Sequence, residues 1–134
     1  MCLATPATTL MLPASSISPK AARDWASHAG CREHAVEVLD DALLLISELV
    51  TNAVLHSGPP IMLSMDCDGE LLRVRVRDGS KGAPQPRNAD PDAENGRGMT
   101  LVELLTDTWG VAPVADDYGT GKEVWFELRR PVEG

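Results

Sequence analysis

The sequence predicts an α+β domain, a two-layer sandwich in which about three helices cover one face of a mixed, mostly antiparallel sheet. The order of the segments is the first observation behind this, because it runs β-α-α-β-β, a long loop, then α-β-β. The second is that the strands alternate apolar and polar residues, as strands with one buried face do. Because 134 residues suffice for one core but not two, residues 1–134 are predicted to form a single domain.

Composition and charge limit the class of function. The net charge of −8 argues against direct binding of nucleic acid, because neutralising phosphates requires a basic face. The three cysteines are an odd number without paired spacing, which favours a reducing, cytoplasmic location. No signal peptide and no stretch of membrane-spanning length is found. We therefore expect no membrane contact, and we expect residues 1–6 to be disordered.

The chain opens with a strand and a helix. Residues 8–12 are predicted to form a short strand that ends at Pro13. The following helix begins at Ser18, which we expect to cap the free N–H groups of the first turn, while Pro19 fits the first helical position. Gly30 ends this helix.

A long apolar segment predicts the central helix. It begins between residues 34 and 38 and ends at His56 or Ser57, because Gly58-Pro59-Pro60 stops it. At the helical angle one side is predicted to face the core. That side consists of Leu39, Ala42, Leu43, Ile46, Val50 and Ala53.

A narrow polar stripe follows the far side of this helix. Glu48, Asn52 and His56 succeed one another at four-residue steps, which places them on one face. The residues beside the stripe are apolar instead of charged, namely Leu44, Leu45 and Leu55. This pattern predicts that the stripe faces a pocket. The alternative is that Glu48 and Asn52 are simply solvated.

The next two strands are predicted to form a hairpin. Residues 61–67 and 71–78 alternate, and Asp68-Gly69 between them is a strong tight-turn signal. In the second strand, apolar residues alternate with arginines, which predicts one buried face and one wet face. The buried set is Leu72, Val74 and Val76, and the wet set is Arg73, Arg75 and Arg77.

Asp78 ends that strand with the parity of the buried face. A buried carboxylate is costly unless a donor hydrogen-bonds it. Because a glycine-bearing turn follows, we expect the donor to be a ligand. The alternative is an aspartate that caps the turn.

The second half of the chain begins with a long loop. Residues 80–95 contain three prolines and few apolar side chains, so we expect a functional lid there. Gly96 and Gly98 then open a helix that includes residues 99–105, where a phosphate can approach free N–H groups. The remaining predicted elements are a strand over residues 108–112, a turn over 115–121 and a strand over 122–128.

Four segments together resemble a known ATP-binding fold, the Bergerat-type fold of histidine kinases, DNA gyrase, the Hsp90 chaperones and MutL repair proteins. They are Glu48-Leu-Val-Thr-Asn52-Ala-Val-Leu-His56, Asp78-Gly-Ser80-Lys-Gly82, Gly96-Arg-Gly98-Met-Thr-Leu-Val102 and Gly119-Thr-Gly-Lys-Glu-Val-Trp-Phe126. The likeness covers nearly the whole chain. It is greatest to bacterial anti-sigma factors with serine-protein kinase activity, especially the small versions found in actinobacteria.

The resemblance implies a site for ATP and Mg²⁺. By it, Asn52 binds the magnesium ion and contacts the nucleotide, Glu48 is a catalytic residue that acts as general base or orients the attacking group, and Asp78 accepts a hydrogen bond from the adenine amino group. Thr120 is expected beside Asp78. The remaining nucleotide-binding residues implied by the glycine-rich segments are Gly82, Gly96, Arg97, Gly98 and Met99.

The resemblance also implies partners, namely a sigma factor and a serine-bearing anti-anti-sigma protein of the STAS type, with a homodimer as a further expectation. One position departs from the family pattern, because Ser80 replaces the first glycine of the second segment. A non-catalytic module that binds nucleotide or sequesters a partner is therefore an alternative. The catalytic domain of a split histidine kinase is a weaker one, since the sequence supplies no helix pair with a phospho-acceptor histidine.

Overall fold

The computed structural model describes residues 5–29, 36–67, 71–79, 101–116 and 119–129. Its elements confirm the predicted α+β class. They are β1 (Thr5–Leu12), α1 (Ser18–Ala29), α2 (Val36–His56), β2 (Ile61–Cys67), β3 (Leu71–Asp78), β4 (Thr108–Asp116) and β5 (Gly119–Arg129). Residues 101–105 are also helical.

The strands form one five-stranded sheet in the order β1-β2-β3-β5-β4, and every neighbouring pair is antiparallel. The predicted hairpin is β2 paired with β3, from Met62 opposite Arg77 to Cys67 opposite Leu72. On its other side β3 pairs with β5, and the register ends at Asp78 opposite Lys122. The end of β3 is therefore flanked by strands on both sides.

The helices lie on one face of this sheet and enclose the core. α1 packs against α2, and both contact the strands. The largest fully buried side chains are Phe126, Leu45, Ile46, Ile61, Leu63, Leu72, Val50, Val74 and Val102. The predicted core face of α2 is confirmed at Ala42, Ile46, Val50 and Ala53, while Leu39 and Leu43 are half-buried.

Leu45 corrects one detail of the helix prediction. We expected it beside the polar stripe, but it is completely buried, whereas Leu44 and Leu55 are 43% and 56% exposed. The apolar face of α2 is wider than the sequence pattern suggested, because α2 contacts both α1 and the sheet. A helix that packs against two neighbours buries more than one narrow stripe.

Three boundaries also differ from expectation. β1 begins at Thr5, so Thr5 and Pro6 belong to a strand and are not disordered; residues 1–4 lie outside the described part. β4 and β5 extend through most of the predicted turn over residues 115–121, because Ala115 pairs with Thr120 and Asp116 with Gly119.

Ser18 does not act as the predicted cap. Its hydroxyl is buried and donates to the Pro13 carbonyl, at 2.5 Å, and Ser18 is itself in the helix. The Ile17 N–H group before the helix instead donates to the Ser15 hydroxyl, at 3.3 Å. Among the described helices, none is long and apolar enough to cross a membrane.

Candidate functional site

A glycine junction joins the end of α2 to the end of β3. The helix ends at His56, and Gly58 follows two residues later. The Gly58 N–H group donates to the Ala53 carbonyl at 2.9 Å, and its φ of +88° suits glycine. The Gly79 N–H group then donates to the Gly58 carbonyl at 3.0 Å. A Cβ atom on Gly79 would overlap the Pro59 carbonyl oxygen. Glycine at 79 therefore lets the residue after Asp78 lie directly against the end of the helix.

Asp78 is buried, as its parity predicted. The residue is only 3% exposed, and its Oδ2 atom lies 3.7 Å from the ammonium nitrogen of Lys122. Lys122 faces Asp78 because the two residues are opposite each other in the β3–β5 register. A carboxylate can accept several hydrogen bonds at once. Asp78 can therefore accept a bond from a ligand amino group while it stays paired with Lys122.

Lys122 is a site residue that sequence reasoning missed. Counting back from Val124 along the last strand would have placed it on the inward face, two residues earlier. The predicted strand over residues 122–128 already contains Lys122, but a lysine at a strand end gives no sign of which residue it faces. The register supplies that partner, Asp78.

The residues of the polar stripe on α2 differ in burial. Glu48 and Asn52 are half-buried, whereas His56 is exposed and does not belong to an enclosed stripe. The Oδ1 atom of Asn52 is buried and has no hydrogen-bond partner in the described part of the chain. A buried carbonyl oxygen without a donor costs free energy, so native proteins rarely keep one without a reason. A cation or a donor from a ligand would satisfy it.

Glu48 precedes Asn52 by one helical turn, about 6 Å along the axis. The neighbouring Thr51 hydroxyl donates to the Ser47 carbonyl at 2.7 Å, so the hydrogen of this hydroxyl is used within the helix. On this face of α2, Glu48 supplies a carboxylate and Asn52 supplies an amide oxygen without a partner in the described part of the chain. That pair suits a proton acceptor beside a ligand for a hard cation.

Arg77 corrects the predicted wet face of β3. We expected it to be solvated with Arg73 and Arg75, which are half-buried, but Arg77 is only 4% exposed. Its guanidinium donates to the Gly119 carbonyl at 2.8 Å and to the Asp78 carbonyl at 3.4 Å. The extended β4–β5 hairpin supplies Gly119, so the longer strands are the reason that Arg77 is covered.

The start of β5 lies directly against Asp78. Gly121 is buried, and a Cβ atom there would overlap the Asp78 carbonyl oxygen. Thr120, which we expected near the adenine-binding carboxylate, immediately precedes Gly121 and is exposed. The expected residues Gly82, Gly96, Arg97, Gly98 and Met99, and the lid over 80–95, lie outside the described residues.

The residues present fit ATP and Mg²⁺. Among the described residues, no group of three or more His, Cys, Asp and Glu side chains could bind a metal by itself. Mg²⁺ does not need such a cage, because it commonly takes one or two protein oxygens together with substrate phosphates and water. The Asn52 oxygen, which has no partner among the residues that the structure describes, can supply one such ligand, and Asp78 can accept from an amino group.

A helix-covered antiparallel sheet with this connectivity is consistent with a Bergerat-type ATPase fold. Residues 16–127 match the model of the histidine kinase-like ATPase domain family, and the chain belongs to that family. Membership implies nucleotide binding. A search of curated proteins found no match to the chain.

Proposed function

We propose that this protein is an ATP-binding regulator of the anti-sigma type, which binds a sigma factor and phosphorylates a serine of a STAS-type anti-anti-sigma protein. The observation that carries the proposal is the buried Oδ1 atom of Asn52, which has no hydrogen-bond partner among the described residues and lies one helical turn from the half-buried Glu48. Family membership supports the binding of a nucleotide. The resemblance of the Glu48–His56 segment to anti-sigma kinases supports the transfer of phosphate to serine.

Glu48 acts as the general base in this proposal. It accepts the proton of the serine hydroxyl as the serine oxygen bonds to the γ-phosphorus of ATP and the bond to the β-phosphate oxygen breaks, which leaves ADP and a phosphoserine. Bound magnesium would neutralise charge on the phosphate oxygens. A carboxylate close to a phosphate is repulsive, so a domain that only bound nucleotide would be served better by a neutral side chain at this position.

Asn52 and Asp78 bind and orient the nucleotide. Asn52 offers its amide oxygen as a metal ligand, and Asp78 accepts a hydrogen bond from the adenine amino group. The Gly58–Gly79 bond of 3.0 Å fixes the strand end that carries Asp78 to the helix that carries Asn52. In phosphoryl transfer an enzyme contributes mainly the positioning of the reacting groups and the electrostatic stabilisation of the phosphates.

Charge supports the choice of partner. The chain has a net charge of −8, which suits a basic surface such as a sigma factor carries for binding DNA. A sigma factor partner also places the protein in the cytoplasm. A homodimer is compatible with this role.

A sequestering module without phosphoryl transfer is the second candidate. It is favoured by Ser80, which replaces the first glycine of the second family segment, and by the proline-rich loop over residues 80–95. Such a module would bind its partner with or without nucleotide and transfer no phosphate. The charge of Glu48 argues for the kinase.

Incubation with γ-labelled ATP, Mg²⁺ and purified STAS-type proteins tests the proposal. We expect label on a serine of one of these proteins, and we expect that phosphorylated form to lose affinity for the regulator. A variant of the partner with that serine replaced by alanine is the matched control. Binding of a partner without any transfer of label would favour the sequestering module.

A further inference from the structure

We propose that Arg77 is a positioning residue for recognition of the adenine ring. Its guanidinium bonds to Gly119 at the start of β5 and to the backbone of Asp78, and we call this pair of bonds the clamp. The inference rests on the proposed role of Asp78 in accepting a bond from adenine. In this proposal Arg77 does not contact the nucleotide and acts by holding the end of β3 in place. The expected consequence is that the site binds adenine nucleotides in preference to guanine nucleotides.

The first step is the position of the guanidinium at the end of the sheet. β3 ends at Asp78, opposite Lys122, whereas β5 begins three residues earlier at Gly119, where β4 is its pairing partner among the described strands. The β4–β5 hairpin therefore projects past the end of β3. Arg77 spans this step, because one nitrogen donates to Gly119 and another to the carbonyl of Asp78.

The second step is the energetic reason for this arrangement. A guanidinium that is 4% exposed is costly unless its N–H groups meet acceptors. Two of those acceptors are main-chain carbonyls on different strands. The planar fork of arginine meets them with two separate nitrogen atoms, whereas lysine has only one nitrogen to place. Arg77 thus couples the position of β5 to that of Asp78.

The third step is the close packing that the clamp maintains. Gly121 leaves no space for a Cβ atom between itself and the Asp78 carbonyl, and the Nη1 atom of Arg77 lies 3.2 Å from where that Cβ atom would be. Asp78, Gly121 and the guanidinium are therefore in mutual contact. Thr120 lies between the clamped residues Gly119 and Gly121. Both side chains assigned to the adenine end, Asp78 and Thr120, therefore depend on the clamp.

Selectivity tests this inference, because a merely structural arginine would change stability and leave the preference for adenine intact. The affinities of ADP, GDP and tripolyphosphate are measured with Mg²⁺ for the wild type, Arg77→Met and Arg75→Met. Arg75 is the matched control, since it lies on the same face of the same strand opposite Ser64 and Trp125.

We expect Arg77→Met to reduce the ratio of ADP affinity to GDP affinity by about tenfold, because Asp78 is no longer fixed at hydrogen-bonding distance. Tripolyphosphate affinity should be unchanged, and Arg75→Met should keep the wild-type ratio. An unchanged ratio in Arg77→Met, with or without a lower melting temperature, overturns the inference. Failure of the wild type to bind ADP overturns the proposed function as well.

Two further variants cover the case in which Arg77→Met does not fold. Arg77→Lys keeps the charge but replaces two separate donor nitrogens with one, so its ratio should fall between those expected for Arg77→Met and wild type. Gly121→Ala disturbs the same contact from β5 and should reduce the ratio too. Wild-type ratios in both variants would contradict the clamp.

Discussion

The ammonium nitrogen of Lys122 lies 3.7 Å from Oδ2 of the buried Asp78, across the register that joins β3 to β5. Lys122 is 30% exposed, so its charge is partly solvated, whereas the carboxylate side chain is 4% exposed. The lysine therefore compensates a carboxylate that has lost most of its contact with water.

Replacing Lys122 with methionine should lower the free energy of unfolding of the nucleotide-free protein by about 1 kcal/mol, because the desolvated carboxylate loses a cation. Urea denaturation measures the change. Lys20→Met is the matched control, since Lys20 is exposed on α1. Equal stability of wild type and Lys122→Met would show that the ion pair contributes nothing.

Replacing Asp78 with asparagine should weaken ATP and ADP binding by about 1–3 kcal/mol, because the amide can present a donor where the adenine amino group needs an acceptor. Calorimetric titration measures this, and the melting temperature confirms that the variant is folded. Asp66→Asn provides the control, because Asp66 pairs with Arg73 at 3.2 Å on the other face of the sheet. Unchanged affinity in folded Asp78→Asn would remove Asp78 from adenine recognition.

Replacing Gly79 with alanine should destabilise the protein by about 1–3 kcal/mol, because the added Cβ atom overlaps the Pro59 carbonyl and strains the bond to Gly58. Nucleotide affinity should fall as well, since the ends of α2 and β3 separate. Gly58→Asn is the comparison, because a Cβ atom there meets open space and asparagine tolerates positive φ. If Gly79→Ala were as stable as wild type, the junction would not fix the strand end.

Much of this architecture could be predicted from periodicity, because the alternation in β2 and β3 and the apolar face of α2 are local patterns. The contacts at the site's edge could not be. Arg77 alternates with Val76 and so looked solvated, but it is covered by a hairpin whose length was underestimated when residues 115–121 were assigned to a turn. The Gly58–Gly79 bond joins residues that are distant in sequence, and nothing near either glycine indicates its partner.

Local chemistry was also ambiguous at two positions. A serine before a proline at a helix start can accept from N–H groups or donate to a carbonyl, and Ser18 donates to Pro13. The spacing of Glu48 and Asn52 predicted a shared face, but only the structure shows that the Asn52 oxygen is buried without a donor in the described part. The spacing of residues along a helix determines the face on which their side chains lie, whereas the burial of those side chains depends on what packs against that face.

Replacing Glu48 with glutamine should reduce phosphate transfer to serine by ~10²–10⁴-fold, because the glutamine cannot accept the hydroxyl proton. ATP affinity should hold or rise, since a charge that repels the phosphates is removed. Transfer of radiolabel from ATP measures the rate, and Glu103→Gln is the control at an exposed position. Equal transfer by wild type and Glu48→Gln would exclude Glu48 as the base.

The magnesium dependence of ATP binding in Asn52→Ala tests the nucleotide site most directly. Removing this oxygen, which has no hydrogen-bond partner in the described part of the chain, should not lower the stability of the nucleotide-free protein, whereas removing a structural hydrogen bond would lower it. Thr51→Ala, on the same turn of α2, is the matched control. We predict that wild type and Thr51→Ala bind ATP more tightly with Mg²⁺ than with EDTA, and that Asn52→Ala binds equally weakly in both. Wild-type magnesium dependence in folded Asn52→Ala would contradict the account.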